Sequence, residues 1–223
     1  MLLYDKAPLL KSYMHNAHGL VSLLLKHLTR HLALPQGTLT SLHDQGTISG
    51  DHVRFIKAPP QPQDDLRIAM GQHTDFGSVT ILFNRVGGLQ VLPPASPSEP
   101  SPEWCYVKPL PGHCIVNLGD AMVKFTNGLL RSNLHRVVAP PGEQVNSTRY
   151  SLVYFARPGD EVPLRRVEGS SIVPPLEEGV VEEALPSREH IKRMALGKRV
   201  NVKLDDVPAY LPGKAMNEGV MAN

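Results

Sequence analysis

The stretch GQHTDFGS, residues 71 to 78, places a histidine and an aspartate two positions apart between glycines. Residues two apart on a β-strand point to the same face. His73 and Asp75 can therefore hold one metal ion from one side, while Thr74 points away. A lone His-x-Asp pair is a weak signal, because it also occurs by chance on surface strands. Its meaning depends on a third ligand elsewhere in the chain.

We expect that third ligand to be His135, in the run SNLHRVV. Two neutral imidazoles and one carboxylate form a facial triad, the ligand set typical of non-haem Fe(II). The alternative for His135 is a core histidine bonded to a carbonyl. The predicted metal ligands are thus His73, Asp75 and His135, which are called the triad below.

The run RYS places Arg149 and Ser151 on one face of a predicted strand downstream of His135. Burying an unpaired guanidinium is very costly, so an arginine inside a barrel needs an anion. Its planar fork matches a carboxylate bidentately, and a serine hydroxyl can add a third hydrogen bond. The alternative is an ordinary surface ion pair. Beside the triad, the pattern favours a carboxylate clamp formed by Arg149 and Ser151, for the far end of a dicarboxylate that chelates the metal.

Short β-rich runs surround these residues and are separated by proline- and glycine-rich turns. Such spacing predicts an antiparallel barrel or a double-sheet jelly roll, so the fold class is mainly β with flanking helices. The predicted strands are VRFIKA (53–58), LRIAM (66–70), SVTILF (78–83), LQVL (89–92), WCYVK (104–108), HCIVNL (113–118), LHRVV (134–138) and YSLVYF (150–155).

Two helices are predicted outside this β-rich region. Residues 8–33 carry apolar residues at steps of three and four, and PSREHIKRMALG (186–197) has a helical composition. The proline- and serine-rich piece 93–102 lies between strands and is interpreted as an exposed loop. The expected organisation is an N-terminal helical segment (1–48), a jelly-roll core (49–158) and a C-terminal extension with one helix (159–223).

Composition excludes several classes of function. The 223 residues carry a formal charge of +2, too mild a balance to indicate a nucleic-acid or membrane partner. No apolar run approaches the roughly 18 residues of a membrane span. Only Cys105 and Cys114 occur, and two free thiols in a reducing compartment are favoured over a disulfide. A cytoplasmic location is therefore expected.

Four quoted runs together resemble the iron(II)- and 2-oxoglutarate-dependent dioxygenases of the isopenicillin N synthase-like branch. They are GQHTDFGSVTILF, GGLQVL, VNLGDAMVKFTNGLLRSNLHRVV and RYSLVYFARP, in the order of the family, and the resemblance covers roughly residues 52 to 158. It implies a double-stranded β-helix core, with Fe(II) on the triad and 2-oxoglutarate on Arg149 and Ser151.

The resemblance also implies an activity. A small organic metabolite, of secondary metabolism, would be hydroxylated or desaturated with O₂, and 2-oxoglutarate would be converted to succinate and CO₂. Ascorbate is expected to help the reaction.

The chain departs from the family pattern in two places. Members usually carry a further N-terminal region of roughly a hundred residues, about one domain's worth, and this chain is expected to begin after it and to show an open site or sheet edge. The family often has an asparagine and a tyrosine ahead of the His-x-Asp pair that help to hold 2-oxoglutarate. Ile56 and Ala58 stand at those places, so the expectation is either that 2-oxoglutarate is held less firmly or that Lys57 contributes instead.

Two other functions fit parts of the pattern. Two histidines and a carboxylate also suit a hydrolytic Zn²⁺, although a hydrolase has no special need of the clamp. A truncated, non-catalytic paralogue that binds a partner is the second alternative. Asp120, in NLGDAM, either orients a loop near the metal or caps a turn.

Overall fold

The computed structural model describes residues 4–61, 68–95 and 101–197. Part of the predicted strand 66–70, part of the loop 93–102 and the end of the C-terminal extension therefore lie outside the described residues. The α-helices of the described part are α1 (Ala7–His31), α2 (Thr38–Ser41), α3 (Asp120–Phe125) and α4 (Ser187–Gly197), and two short 3-10 helices cover Tyr4–Lys6 and Gly142–Asn146. None of these helices combines the length and hydropathy that a bilayer span requires.

Ten strands are assigned in the described residues. In chain order they are β1 (His52–Ala58), β2 (Met70–His73), β3 (Val79–Asn84), β4 (Leu89–Val91), β5 (Cys105–Tyr106), β6 (Ile115–Leu118), β7 (His135–Val137), β8 (Arg149–Ala156), β9 (Pro163–Leu164) and β10 (Leu185–Pro186). Two four-stranded antiparallel sheets have the orders β1-β8-β3-β6 and β2-β7-β4-β5, and β9 pairs with β10 in a small ribbon. The predicted fold class, mainly β with a jelly-roll core and flanking helices, is confirmed.

The alternation along β3 explains how one sheet serves two cores. Ile81 is fully buried in the cluster that α1 covers, whereas its neighbour Leu82 belongs to a smaller cluster with Leu89 and Val153. Successive strand residues point to opposite faces, so the first face packs against helices and the second faces the other sheet. The second face is therefore the interior of the jelly roll, called the inner face below.

The observed elements differ from the expected ones in two places. Strand β2 begins at Met70, so Ile68 and Ala69 of the predicted strand 66–70 lie outside it, and Ile68 is 57% exposed. Helix α3 was not expected, because its six residues, Ala121, Met122 and Phe125 among them, are too few to show a helical period. These three residues are buried together at helical spacing, after Gly119 ends the strand.

The turn that carries Asp75 is fixed against the start of α3 through backbone hydrogen bonds. The Asp120 N–H donates to the Asp75 carbonyl at 2.8 Å, and the Gly119 N–H donates to the Ser78 carbonyl at 3.0 Å. A Cβ atom at Gly119 would overlap the Gly77 carbonyl oxygen and would lie 2.7 Å from that of Asp75. Only glycine permits this approach of two backbones.

We expect Gly119→Ala to destabilise the fold by about 1–3 kcal/mol, because the methyl group overlaps two backbone oxygens that cannot move independently. The free energy of unfolding in urea measures this change. Gly19→Ala is the control, since Gly19 lies exposed in α1 with nothing within 4 Å of the added Cβ. This control should gain about 0.5–1 kcal/mol. Equal stabilities of wild type and Gly119→Ala would contradict the expectation.

Candidate metal centre

The sheet β2-β7-β4-β5 brings the two histidines of the triad together. His73 ends β2, His135 begins β7, and the two residues are direct partners in the antiparallel register. Their ring centroids are 4.2 Å apart. Asp75 follows in the next turn, and its Oδ1 lies 4.0 Å from His73 Nε2 and 3.8 Å from His135 Nε2. One ligand atom from each residue lies within 4.8 Å of the others, which is a spacing that one metal ion can bridge.

Backbone carbonyls set the tautomer of both imidazoles. His73 Nδ1 lies 2.8 Å from the Gly71 carbonyl oxygen, and His135 Nδ1 lies 3.0 Å from that of Asn133. A carbonyl oxygen only accepts, so Nδ1 is the donor in each neutral ring. The ring lone pair is therefore on Nε2, the atom nearer Asp75. This arrangement is the usual one for histidines that bind a metal.

The carboxylate of Asp75 is held by two donors from neighbouring strands. Thr80 Oγ1 donates to Asp75 Oδ2 at 2.7 Å, and Asn117 Nδ2 donates to the same oxygen at 2.8 Å. Thr80 and Asn117 are direct cross-strand partners in β3 and β6. Their bonds occupy Oδ2 and turn Oδ1 toward the imidazoles. The carboxylate is thus prepared to bind through one oxygen.

Asp120, for which two roles were open in the sequence, acts on the loop beside the triad. Its carboxylate Oδ2 accepts a hydrogen bond from Thr74 Oγ1 at 3.1 Å, and its backbone N–H binds the Asp75 carbonyl. Asp120 is 5% exposed. It therefore anchors the residue between His73 and Asp75. Strand β2 ends at His73, so Thr74 and Asp75 lie in the turn that follows and not on the strand that the sequence predicted.

A buried histidine supports the same turn from the helical side. The ring of His43 donates from Nδ1 to the Leu39 carbonyl at 2.7 Å and accepts at Nε2 from the Ser78 hydroxyl at 2.6 Å. Burial lowers the pKa of His43 to about 4, against the opposing effect of the Leu39 carbonyl. The ring is therefore neutral at physiological pH, and it ties α2 to the residue that precedes β3.

The predicted carboxylate clamp lies on the inner face of β8. Arg149 is 5% exposed, and its guanidinium donates to the Gly87 carbonyl at 2.8 Å and to the Ser151 hydroxyl at 2.5 Å. Both partners are neutral, and within the described ranges Arg149 forms no ion pair. Burial lowers the pKa of Arg149. A buried charge with neutral partners is the environment expected for an anion site.

The neighbours of the clamp on β1 are apolar. Ile56 pairs with Ser151 and Ala58 pairs with Arg149, so both side chains lie beside the clamp, where the family often has polar residues. Lys57 pairs with the exposed Tyr150 on the opposite face. Lys57 therefore does not replace the missing groups. A small cavity beside Arg149 has Ala58 and Val137 in its lining.

A family model described as the 2OG-Fe(II) oxygenase superfamily matches residues 49–158. A 2-oxoglutarate-dependent dioxygenase of Aspergillus fumigatus is 36% identical over 189 residues, covering 77% of this chain and 48% of the relative. The chain belongs to the 2OG-Fe(II) oxygenase superfamily. It spans about half the length of the curated relatives that it matches.

Solved structures show the same architecture. A full-length Neurospora crassa protein, crystallised in complex with alpha-KG, superposes with a TM-score of 0.72 at 22% identity, covering 86% of this chain and 58% of that one. JOX2, crystallised in complex with 2OG, Fe and JA, gives a TM-score of 0.65 at 25% identity, covering 82% of this chain and 50% of that one. These likenesses support the jelly-roll fold independently of the strand topology.

We expect Thr80→Val to weaken metal binding about 10-fold or more, because Asp75 Oδ2 loses a donor and the carboxylate is free to rotate. Anaerobic calorimetric titration with Co(II), a redox-stable substitute for Fe(II), measures the affinity. Thr80→Ser keeps the hydroxyl and should restore most of the binding, whereas a purely steric role would spare the isosteric Thr80→Val and impair Thr80→Ser, which lacks the methyl group. Wild-type affinity in Thr80→Val would disprove the positioning role.

Proposed function

We propose that this chain carries the catalytic core of an Fe(II)- and 2-oxoglutarate-dependent oxygenase that hydroxylates or desaturates a small organic metabolite. The observation that carries the proposal is the convergence of His73 Nε2, His135 Nε2 and Asp75 Oδ1 at one point. Two imidazoles and one carboxylate are the donor set that suits non-haem Fe(II). The second supporting observation is the buried guanidinium of Arg149, which forms no ion pair within the described residues and so offers a site for a carboxylate.

The triad would hold the metal, and the clamp would hold the distal carboxylate of 2-oxoglutarate. Fe(II) and 2-oxoglutarate, when bound, supply O₂ activation, with release of succinate and CO₂. The protein contributes position: Thr80 and Asn117 orient Asp75, and the carbonyls of Gly71 and Asn133 orient the imidazoles. Ordering the ligands before the reaction lowers the entropic part of the barrier.

The clamp also separates this proposal from its rivals. A hydrolytic Zn²⁺ site has no use for a buried arginine and serine beside the metal ligands, so Arg149 favours a dicarboxylate cosubstrate. A non-catalytic binding protein has no need of tautomers fixed for metal binding. The intact donor set therefore supports an enzyme over both alternatives.

Asp75→Ala should abolish conversion of 2-oxoglutarate to succinate, because the remaining two imidazoles form an incomplete ligand set. Succinate release with iron and ascorbate, without added substrate, measures this turnover. The matched control is Asp44→Ala, which removes a carboxylate from an exposed loop residue. Full turnover in Asp75→Ala, with the circular dichroism of the wild type, would reject the oxygenase assignment.

Arg149→Gln should raise the KM for 2-oxoglutarate about 10-fold or more, because truncating one partner of a buried, charge-assisted contact costs several kcal/mol. The dependence of succinate release on 2-oxoglutarate concentration gives this KM. Arg188→Gln is the control, because Arg188 pairs with Glu161 at the surface. An unchanged KM in Arg149→Gln would show that Arg149 does not bind 2-oxoglutarate, and it would not affect the assignment of the triad.

A further inference from the structure

Two arginines outside the clamp lie on the side of the barrel where Asp75 is held. Arg54 and Arg157 are called the basic pair below. Arg54 pairs with Val153 in the register between β1 and β8, and Val153 belongs to the inner cluster. Directly paired antiparallel residues share a face. Arg54 therefore lies on the inner face of β1, although its side chain is exposed.

A phenylalanine connects Arg54 with the triad. Phe155 is the cross-strand partner of Thr80, whose hydroxyl binds Asp75 Oδ2. The guanidinium carbon of Arg54 lies 5.3 Å from the centroid of the Phe155 ring. The ring of His52 stacks on the same phenylalanine, with centroids 4.7 Å apart and an interplanar angle of 15°. Arg54 is thus separated from the ligand Asp75 by the side chains of a single cross-strand pair.

The second arginine passes over the turn of the His-x-Asp pair. A Cβ atom at Gly77 would lie 3.1 Å from Arg157 Cγ, and one at Gly50 would lie 2.8 Å from Arg157 Nη1. Two glycines therefore leave space for this side chain. Arg157 Nε is buried and has no hydrogen-bond partner among the residues that the structure describes. A buried N–H without an acceptor is unusual, and a bound carboxylate is one group that would supply the acceptor.

The charges of the basic pair are not neutralised by close contacts. Within residues 4–61, 68–95 and 101–197, neither arginine forms an ion pair. The neighbouring carboxylate of Asp51 is already engaged, because it accepts the Tyr154 hydroxyl and the backbone N–H of Arg157. Burial and then the positive charge of Arg54 lower the pKa of Arg157. The carboxylates of Asp51, Asp75 and Asp160 act on that pKa in the opposite direction, but none forms an ion pair with Arg157 among the described residues, so its guanidinium can accept a further anion.

We propose that the substrate is an organic acid whose carboxylate is bound by Arg54 and Arg157, with its apolar part against Phe155. The inference rests on the proposed function, because it assigns the substrate of the same site. A guanidinium pair binds a carboxylate strongly and an amide of the same shape weakly. 2-Oxoglutarate also carries carboxylates that an arginine pair binds. The proposal assigns 2-oxoglutarate to Arg149 and Ser151 instead.

Saturation-transfer NMR with benzoate and benzamide as probes tests the acid site without any turnover. The full chain should bind benzoate about 10-fold more tightly than benzamide. Arg157→Gln should weaken benzoate about 10-fold, because its contact is partly buried, and Arg54→Gln about two- to fivefold, because its contact is exposed. Arg157→Lys keeps the charge and should keep the preference for benzoate over benzamide. This variant tests whether weaker binding in Arg157→Gln comes from the lost charge and not from misfolding.

Lys57→Gln is the matched control, since it removes the same charge from the same strand on the opposite face. Its affinity for benzoate should equal that of the wild type. Equal binding of acid and amide, no binding of benzoate, or wild-type affinity in both glutamine variants of the basic pair would overturn the proposal.

A second experiment distinguishes an organic-acid substrate from 2-oxoglutarate as the molecule whose carboxylate binds to the basic pair. With Zn(II) on the triad and saturating 2-oxoglutarate, benzoate should remain bound, because the two acids occupy different sites. Displacement of benzoate would assign the basic pair to the cosubstrate and overturn the proposal. Succinate release by the same wild-type preparation is recorded in parallel. Its absence, with the acid preference intact, would reject the proposed function alone and still support the acid site.

Discussion

The pairing of β2 with β7 is the constraint on which the candidate centre depends. It makes His73 and His135 direct partners, so two candidate ligands distant in sequence meet without any loop having to bring them together. Because the side-chain period of a strand is two, a register slip by one residue would turn one imidazole to the opposite face. The cross-strand pair of Thr80 and Asn117 then fixes the third ligand by the same device. Sheet register thus places the two imidazoles, whereas Asp75 is placed by the turn after β2 and by its bonds to β3, β6 and the start of α3.

Much of this arrangement was predictable because it follows from strand periodicity. The His-x-Asp spacing indicated one shared face, and the runs around His135 and Arg149 indicated further strands that could close the barrel. The bounds of β8 and α1 were predicted to within two residues, since both have long, regular apolar patterns. Helix α3 was missed because six residues between a strand and a turn are too few to show a helical period.

The residues that support the site were harder to find. Thr80 and Asn117 lie in apolar runs where a single polar residue gives no sign of its partner, and their meeting depends on the alignment of β3 with β6. Arg54 and Arg157 are far apart in sequence, and only the pairing of β1 with β8 places them on one side of the barrel. An inward polar residue within an otherwise apolar strand was the available signal, but it does not identify the group that the residue binds.

The position of β1 has a consequence for how the molecule behaves at high concentration. Within the described residues β1 has one neighbour, β8, so the other side of its backbone presents hydrogen-bonding groups to which a strand from another molecule can be added. Phe55 on this strand is 59% exposed, which would favour such an addition. Arg54 and Lys57 flank it with like charges that repel an identical strand. Charges on this border thus act as gatekeepers against aggregation, whatever else they bind.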